Sequence, residues 1–375
     1  MGICLSTEST PKKNTPKRLT NHQSTINASR WSRIRSFSGK KHNFDDVDAV
    51  VHEHAIAAAL LFQQQNGGVL PFDRSTSLRH VPNSKRHQPF TRSSSTRARS
   101  VTDPLLPPQQ LLNQDVNIDE LETSHIVLVH GGGFGAWCWY KTIALLEECK
   151  FRVTAIDLTG SGIDLFDANS IKNLSQYVTP LTDFLEKLAD GEKVILVGHD
   201  FGGACVSYEM ELYPKKIAKA IFIAASMLKS GQSTLDMFSQ KENTNDLMRQ
   251  AQKFIYTNGN NMPPTAIDLD KMLLKDLLFN HSPAKDIALA SVSMRPIPFP
   301  PVLEKLSLSE SNYGSVRRFY IETLDDNAIP ITLQESMLNE SPPEKVFRLK
   351  GSDHSPFFSK PQALHKLLVE IAKIK

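Results

Sequence analysis

Three residues of this chain have side chains suited to acid–base or nucleophilic chemistry and stand where short apolar runs end. Asp200 lies in Val194-Ile-Leu-Val-Gly-His-Asp-Phe-Gly-Gly203, Asp326 in Leu324-Asp-Asp-Asn-Ala-Ile-Pro330, and His354 in Gly351-Ser-Asp-His-Ser355. The first stretch reads as strand, sharp turn and helix. Four apolar residues, Val194 to Val197, lead to a tip residue bracketed by Gly198 and Gly202, and helical character follows from Ala204 to Leu212. This is the Gly-x-nucleophile-x-Gly layout. The glycines let strand and helix approach closely, and the tip is expected to be strained, a conformation Asp tolerates better than most residues. Taken alone, the motif is equally an ordinary glycine-containing turn. An acid in a turn is commonly solvated and a histidine commonly structural, so the signal lies in all three residues following strands.

The elements that position them follow from apolar patterning. His125-Ile-Val-Leu-Val-His130 reads as a buried strand running into Gly131-Gly-Gly-Phe-Gly135. Phe151 to Asp157 and Ala218 to Ala225 are further strands, and Leu174 to Ala189 is helical. Near-continuous apolar strands alternating with helices predict an α/β fold, a mostly parallel sheet covered by helices on both faces. Strand character returns at Val316 to Ile321 and Val346 to Lys350, and Pro361 to Ile374 is a closing amphipathic helix. From about 227 to 312 strands disappear. Helical pieces such as Asp270 to Leu278 alternate with Pro296-Ile-Pro-Phe-Pro-Pro301, which predicts a helical cap inserted between sheet strands and shaping a pocket above their ends. The folded unit is expected to span 121–375.

Residues 1–115 differ in kind. They are rich in Ser, Thr, Pro, Arg and Lys and poor in large apolar residues, which predicts a disordered arm with one short helix over 45–65. The chain as a whole is nearly neutral, with 43 Lys+Arg against 40 Asp+Glu, yet Glu8 is the sole acidic residue before Lys41. A basic arm on an acidic body follows. Met1-Gly2 with Ser6 fits the N-myristoylation pattern, with Cys4 as a palmitoylation candidate; membrane attachment through the arm would need both acyl chains, or one chain plus the basic run. A plastid transit peptide is the competing reading of the same composition. No secretory segment follows the start methionine, so secretion is not expected. The four cysteines, Cys4, Cys138, Cys149 and Cys205, have the spacing of neither a metal site nor a disulfide framework. No metal or cofactor is expected and no nucleic-acid partner, and nothing in the sequence fixes an oligomeric state.

From about residue 124 onward the chain resembles the plant methylesterase family of α/β-hydrolases, relatives of the hydroxynitrile lyases. The stretches that carry the resemblance are Val127-Leu-Val-His-Gly, Gly135-Ala-Trp-Cys-Trp-Tyr-Lys141, Asp157-Leu-Thr-Gly-Ser-Gly-Ile163, Glu192-Lys-Val-Ile-Leu-Val-Gly-His199, Tyr313-Gly-Ser-Val-Arg-Arg-Phe-Tyr-Ile321 and Gly351-Ser-Asp-His354. With the long basic arm they resemble the chloroplast-assigned subgroup. The chain order Asp200, Asp326, His354 is that of nucleophile, acid and histidine in this fold. The resemblance implies a carboxylic ester hydrolase for small methyl esters such as those of salicylate, jasmonate or indole-acetate. It maps the nucleophile onto Asp200 in place of Ser, the acid onto Asp326, the base onto His354, and the oxyanion N–H groups onto Gly132 and Phe201. Asp325 is set aside because Asp326 holds the family position before Asn-Ala-Ile-Pro, and Asp353 is expected to point away.

Aspartate at the tip changes the chemistry. A carboxylate with an ordinary pKa of about 4 is a weaker nucleophile than a serine alkoxide. If it added to an ester carbonyl, the intermediate would expel the carboxylate rather than the more basic methoxide. Three outcomes stay open. Asp200 attacks a saturated carbon, as in epoxide hydrolases and dehalogenases of this fold. Asp200 and His354 form an ion pair that activates water or a substrate proton. Or the site binds a small ester or carboxylic acid without turnover. Two acids around one imidazole should raise the pKa of His354.

Overall fold

The computed structural model describes residues 118–239 and 246–375. The arm, its helix over 45–65, Gly2 and Cys4 lie outside the described residues. The centre is a six-stranded, all-parallel sheet in the order β2-β1-β3-β4-β8-β9. Its strands are β1 His125–Val129, β2 Arg152–Ile156, β3 Val194–His199, β4 Ile217–Ile223, β8 Arg317–Thr323 and β9 Lys345–Leu349. The three that read as near-continuous apolar runs, β1, β3 and β4, are buried at every residue, Lys219 of β4 included, while the edge strands β2 and β9 are partly exposed. That is the pattern expected of a sheet covered on both faces.

Strand side chains alternate between the two faces, and two apolar cores result. Val127 and Val129 join Leu196, Tyr177, Val178 and Leu181 on one side. Ile126 and Leu128 join Ile195, Leu364 and Leu368 on the other. The helix Leu174–Glu186 buries Leu174, Tyr177, Val178, Leu181 and Leu185, spaced at one helical face, and the Asn173 side chain caps it by accepting from the Gln176 N–H. The helix Pro361–Lys373 covers the opposite face with Leu364, Leu368, Val369 and Ile371.

Between β4 and β8 the structure departs from the helical expectation. Short helices such as Ala284–Ser293 are present, but so is a second, three-stranded antiparallel sheet of β5 Gln252–Ile255, β6 Ala266–Leu269 and β7 Ile297–Pro298. The predicted loss of strands is therefore corrected. These strands are four, four and two residues long, too short to show a period of two, and the last contains a proline that sits at an edge. The predicted helix from Asp270 is also shorter, running Leu274–Leu278.

Strand order reverses at β1: the chain leaves β1 for β2 on one side and returns to β3 on the other. In open parallel sheets this switch point, at the carboxyl ends of the strands, leaves a crevice. The loops after β1 and β3 border it, and those after β8 and β9 emerge at the same edge.

Candidate active site

Asp200 follows β3 with φ of 49°, inside the left-handed region. The turn is held from both sides: the Asp200 N–H donates to the Ile223 carbonyl at 3.4 Å, and its own carbonyl accepts from Gly203 and Ser226 N–H groups at 3.0 and 2.9 Å. The helix Gly202–Leu212 starts at once. A Cβ on Gly202 would lie 2.4 Å from the His130 carbonyl oxygen, and one on Gly198 would lie 2.8 Å from the Gly202 carbonyl oxygen. Both positions must lack a side chain for strand and helix to pack this closely, which makes the turn a true elbow.

Asp326 comes from the loop after β8 and is fixed by four donors. The Ala328 and Ile329 N–H groups each donate to Oδ1 at 2.8 Å, and Oδ2 accepts from the Thr323 hydroxyl and the His354 Nδ1–H, both at 2.9 Å. Gln334 in turn donates to the Thr323 carbonyl and hydroxyl. The His354 ring, 1% exposed, is thereby oriented with Nδ1 toward Asp326 and Nε2 toward Asp200, whose Oδ1 lies 4.0 Å away. That distance exceeds a direct hydrogen bond. Asp325 lies elsewhere, paired with the exposed ring of His281 at 3.3 Å. Asp353 accepts from the His281 N–H and the Ser282 and Ser359 hydroxyls, a structural role.

The electrostatics follow from this geometry. Burial opposes charge on His354, but the carboxylates of Asp326, Asp200 and Asp353 outweigh it and lift its pKa to about 9. The imidazolium is therefore the resting form at neutral pH. His199 packs against it with ring centroids 4.6 Å apart and the rings tilted by 52°, and holds the backbone by an Nε2–H bond to the His354 carbonyl at 2.8 Å. Burial, followed by the charge on His354, keeps His199 neutral, its pKa far below the ordinary value. Burial pushes the Asp200 carboxyl upward, against the pull of His354 and of two backbone N–H donors.

Those donors are Gly132 and Phe201. The Gly132 N–H donates to Asp200 Oδ2 at 2.9 Å, and the Phe201 N–H hydrogen bonds the same carboxylate. The two groups that the sequence mapped as oxyanion donors thus point at the protein's own side chain. The loop that carries Gly132 is braced by His130, whose Nδ1–H donates to the Gly131 carbonyl at 2.8 Å while Nε2 accepts from the Leu158 N–H at 3.1 Å. The insert lies directly on this loop. The Arg295 N–H donates to the Gly133 carbonyl at 3.0 Å, and a Cβ on Gly132 would meet Ile297 Cδ1 at 2.9 Å.

Sequence reasoning had picked out Asp200, Asp326, His354, Gly132 and Phe201, and the structure brings all five together. It had missed Ile297, His199 and Thr323. Ile297 sits in a proline-rich stretch read only as cap. His199 was visible as a histidine at a strand end but carried no partner signal.

Comparison with known proteins covers the region that holds these residues. Positions 126–367 match the alpha/beta hydrolase family. The chain is 67% identical to "Putative methylesterase 11, chloroplastic" of Arabidopsis thaliana, over 97% of each chain. Among solved structures, a methylesterase from Arabidopsis is 35% identical, covering 66% of this chain and 98% of its own, with a TM-score of 0.60. Tomato methylketone synthase I in complex with 2-tridecanone is 35% identical, covering 67% of this chain and 98% of its own, with a TM-score of 0.61. The chain belongs to the alpha/beta hydrolase family, within its plant methylesterase branch.

Proposed function

We propose that the protein is a carboxylic ester hydrolase acting on small methyl esters, of the kind formed by salicylate, jasmonate or indole-acetate. The observation that carries this is the His354 imidazole, aligned between Asp326 at 2.9 Å and Asp200 at 4.0 Å where the parallel strands end. In this reading Asp326 orients and charges the ring, His354 moves the proton, Asp200 supplies the reacting carboxylate, and the Gly132 and Phe201 N–H groups hold negative charge. Residues 121–375 form the catalytic unit, and about 227–312 form the cap that admits the acid portion of the ester. Support also comes from relatives whose names carry methylesterase and esterase. The reaction uses water alone as second substrate.

The test is methanol release by the purified full chain from methyl salicylate, methyl jasmonate and methyl indole-3-acetate, alongside His354→Ala. Release by the wild type and its loss in the variant support the reading. Equal rates in the two proteins overturn catalysis by this constellation, and thermal stabilisation by ester without methanol release favours a site that binds without turnover.

A plastid address is part of the proposal. The first 41 residues are basic with Glu8 as their one acid, and the printed names of matching Arabidopsis relatives include the word chloroplastic. The pattern at Gly2 and Cys4 favours the other location, the cytosolic face of a membrane. Intact mass from leaf tissue separates the two: a start deep in the arm, or a start at Gly2 carrying an acyl group.

A further inference from the structure

The two oxygens of Asp200 are not equivalent. Oδ2 is held by the Gly132 N–H at 2.9 Å, while Oδ1 is the oxygen nearest His354 Nε2, at 4.0 Å. A carbonyl oxygen of a substrate cannot use the Gly132 donor while Oδ2 occupies it. The acyl carbon of an ester is thus deprived of the charge stabilisation that attack on it requires. The side chain meets the opposite requirement. Oδ2 is anchored by a backbone donor, and Oδ1 stands beside an imidazole, beyond hydrogen-bond distance.

An ester has a second electrophilic atom, the saturated carbon on its alcohol side. Attack there by a carboxylate expels another carboxylate of similar basicity, so the step is close to balanced, unlike the route through an anhydride and methoxide. We propose that this site opens the methyl–oxygen bond of its substrate, with Asp200 Oδ1 as the group that accepts the methyl. The inference rests on the methyl-ester reading given above and adds which bond breaks.

The steps balance. A lone pair on Oδ1 forms the new bond to the methyl carbon as the methyl–oxygen bond of the ester breaks, its electron pair leaving with the acid as a carboxylate. Asp200 is now a neutral methyl ester. One of the three carboxylates that raise the His354 pKa has lost its charge, and the imidazolium releases its proton to solvent. Neutral Nε2 then takes a proton from water as the water oxygen adds to Cγ. The electron pair of the Cγ–Oδ2 double bond moves onto Oδ2, where the Gly132 N–H already points, with the Phe201 N–H on the same carboxyl group. Collapse breaks the Cγ–Oδ1 bond, and the methoxide takes the proton from His354. The carboxyl group that remains returns its proton to the imidazole. The sum is ester plus water giving carboxylate, proton and methanol. The oxyanion donors are used on the enzyme's own ester, so their contact with Asp200 at rest is the catalytic arrangement.

The experiment is turnover of the same three methyl esters by the full chain in water enriched in heavy oxygen. In this mechanism the acid keeps its original two oxygens and stays unlabelled. Methanol leaves with Oδ1, unlabelled in a single turnover with enzyme in excess and labelled in later turnovers once water oxygen has entered Asp200. A second arm uses His354→Gln, which cannot activate water. Incubation with ester should leave the peptide containing Asp200 heavier by one methylene unit, and the doubly substituted protein that also carries Asp200→Asn should gain nothing. Label in the acid, with none in methanol, overturns the inference and leaves the methyl-ester reading standing. Absence of methanol from all three esters overturns both.

Discussion

Replacing Asp200 by serine should convert the site to acyl chemistry, and the structure sets the size of the effect. The substitution removes the carboxylate from the Gly132 N–H, 2.9 Å away, and from the Phe201 N–H. A single oxyanion donor is worth about 10²–10³ in kcat, so freeing even one gains about 10². The second gain is in the base. With a pKa of about 9, about one His354 ring in a hundred is neutral at pH 7. Asp200 Oδ1 lies 4.0 Å from Nε2, and two charges at that separation interact by about 4 kcal/mol at an effective dielectric of about 20. If only a third of that is realised, the pKa falls by about one unit and the neutral fraction rises about tenfold. The two gains multiply to about 10³. The assay is stopped-flow release of nitrophenol from para-nitrophenyl acetate at neutral pH. The alcohol side of this ester has no saturated carbon, so only the acyl route is reported. The serine variant should show a burst and run about 10³ faster than wild type. A folded serine variant with no burst and no gain would refute the reasoning that the carboxylate blocks the oxyanion donors.

Three further outcomes follow from the same geometry. Methyl transfer to Asp200 needs no neutral imidazole in the free enzyme, so kcat/KM on a methyl ester should stay level from neutrality to about pH 9; a route requiring neutral His354 would climb about tenfold per pH unit across that interval. Glu209 is buried on the helix after the elbow, accepts from the Thr182 hydroxyl at 2.5 Å, and burial raises its pKa to about 7. Its folded pKa lies above the unfolded value, so stability falls as pH rises from about 4.5 to 7, by about 3 kcal/mol. Glu209→Gln should recover about 2–3 kcal/mol at pH 8 and little at pH 4, as read from urea midpoints. Gly202→Ala, whose Cβ would fall 2.4 Å from the His130 carbonyl oxygen, should cost about 3 kcal/mol or more on the same scale, because backbone rather than a flexible side chain must yield.

The parts legible in the sequence were those with strong local signals. Val194 to Val197 and Ile126 to Val129 announce buried parallel strands because both faces are covered and no polar residue interrupts them. Gly198 and Gly202 suggested the elbow once Asp326 and His354 were seen to follow later strands, and the 49° φ at Asp200 agrees with the strain expected at its tip. Asp326 and His354 were placed by their position after β8 and β9. Other features were not legible. A two-residue strand such as Ile297–Pro298 is defined by its partner β6 and carries no periodicity of its own. The contact of Ile297 with Gly132 arises from that pairing. Most consequential was the direction of the Asp200 carboxylate. The motif fixes where the side chain starts, but its turn toward the Gly132 N–H depends on the three-dimensional meeting of the β1 and β3 loops.

The central claim is that the Asp200 carboxylate itself takes part in ester turnover. The direct measurement is methanol release from a methyl ester by Asp200→Asn against wild type, with both proteins shown to unfold at the same urea concentration. Asparagine keeps the shape and tolerates the positive φ, but its amide neither accepts a methyl group readily nor carries the charge facing His354. The account predicts a loss of at least about a thousandfold. A variant that retains activity within about tenfold of wild type would contradict it.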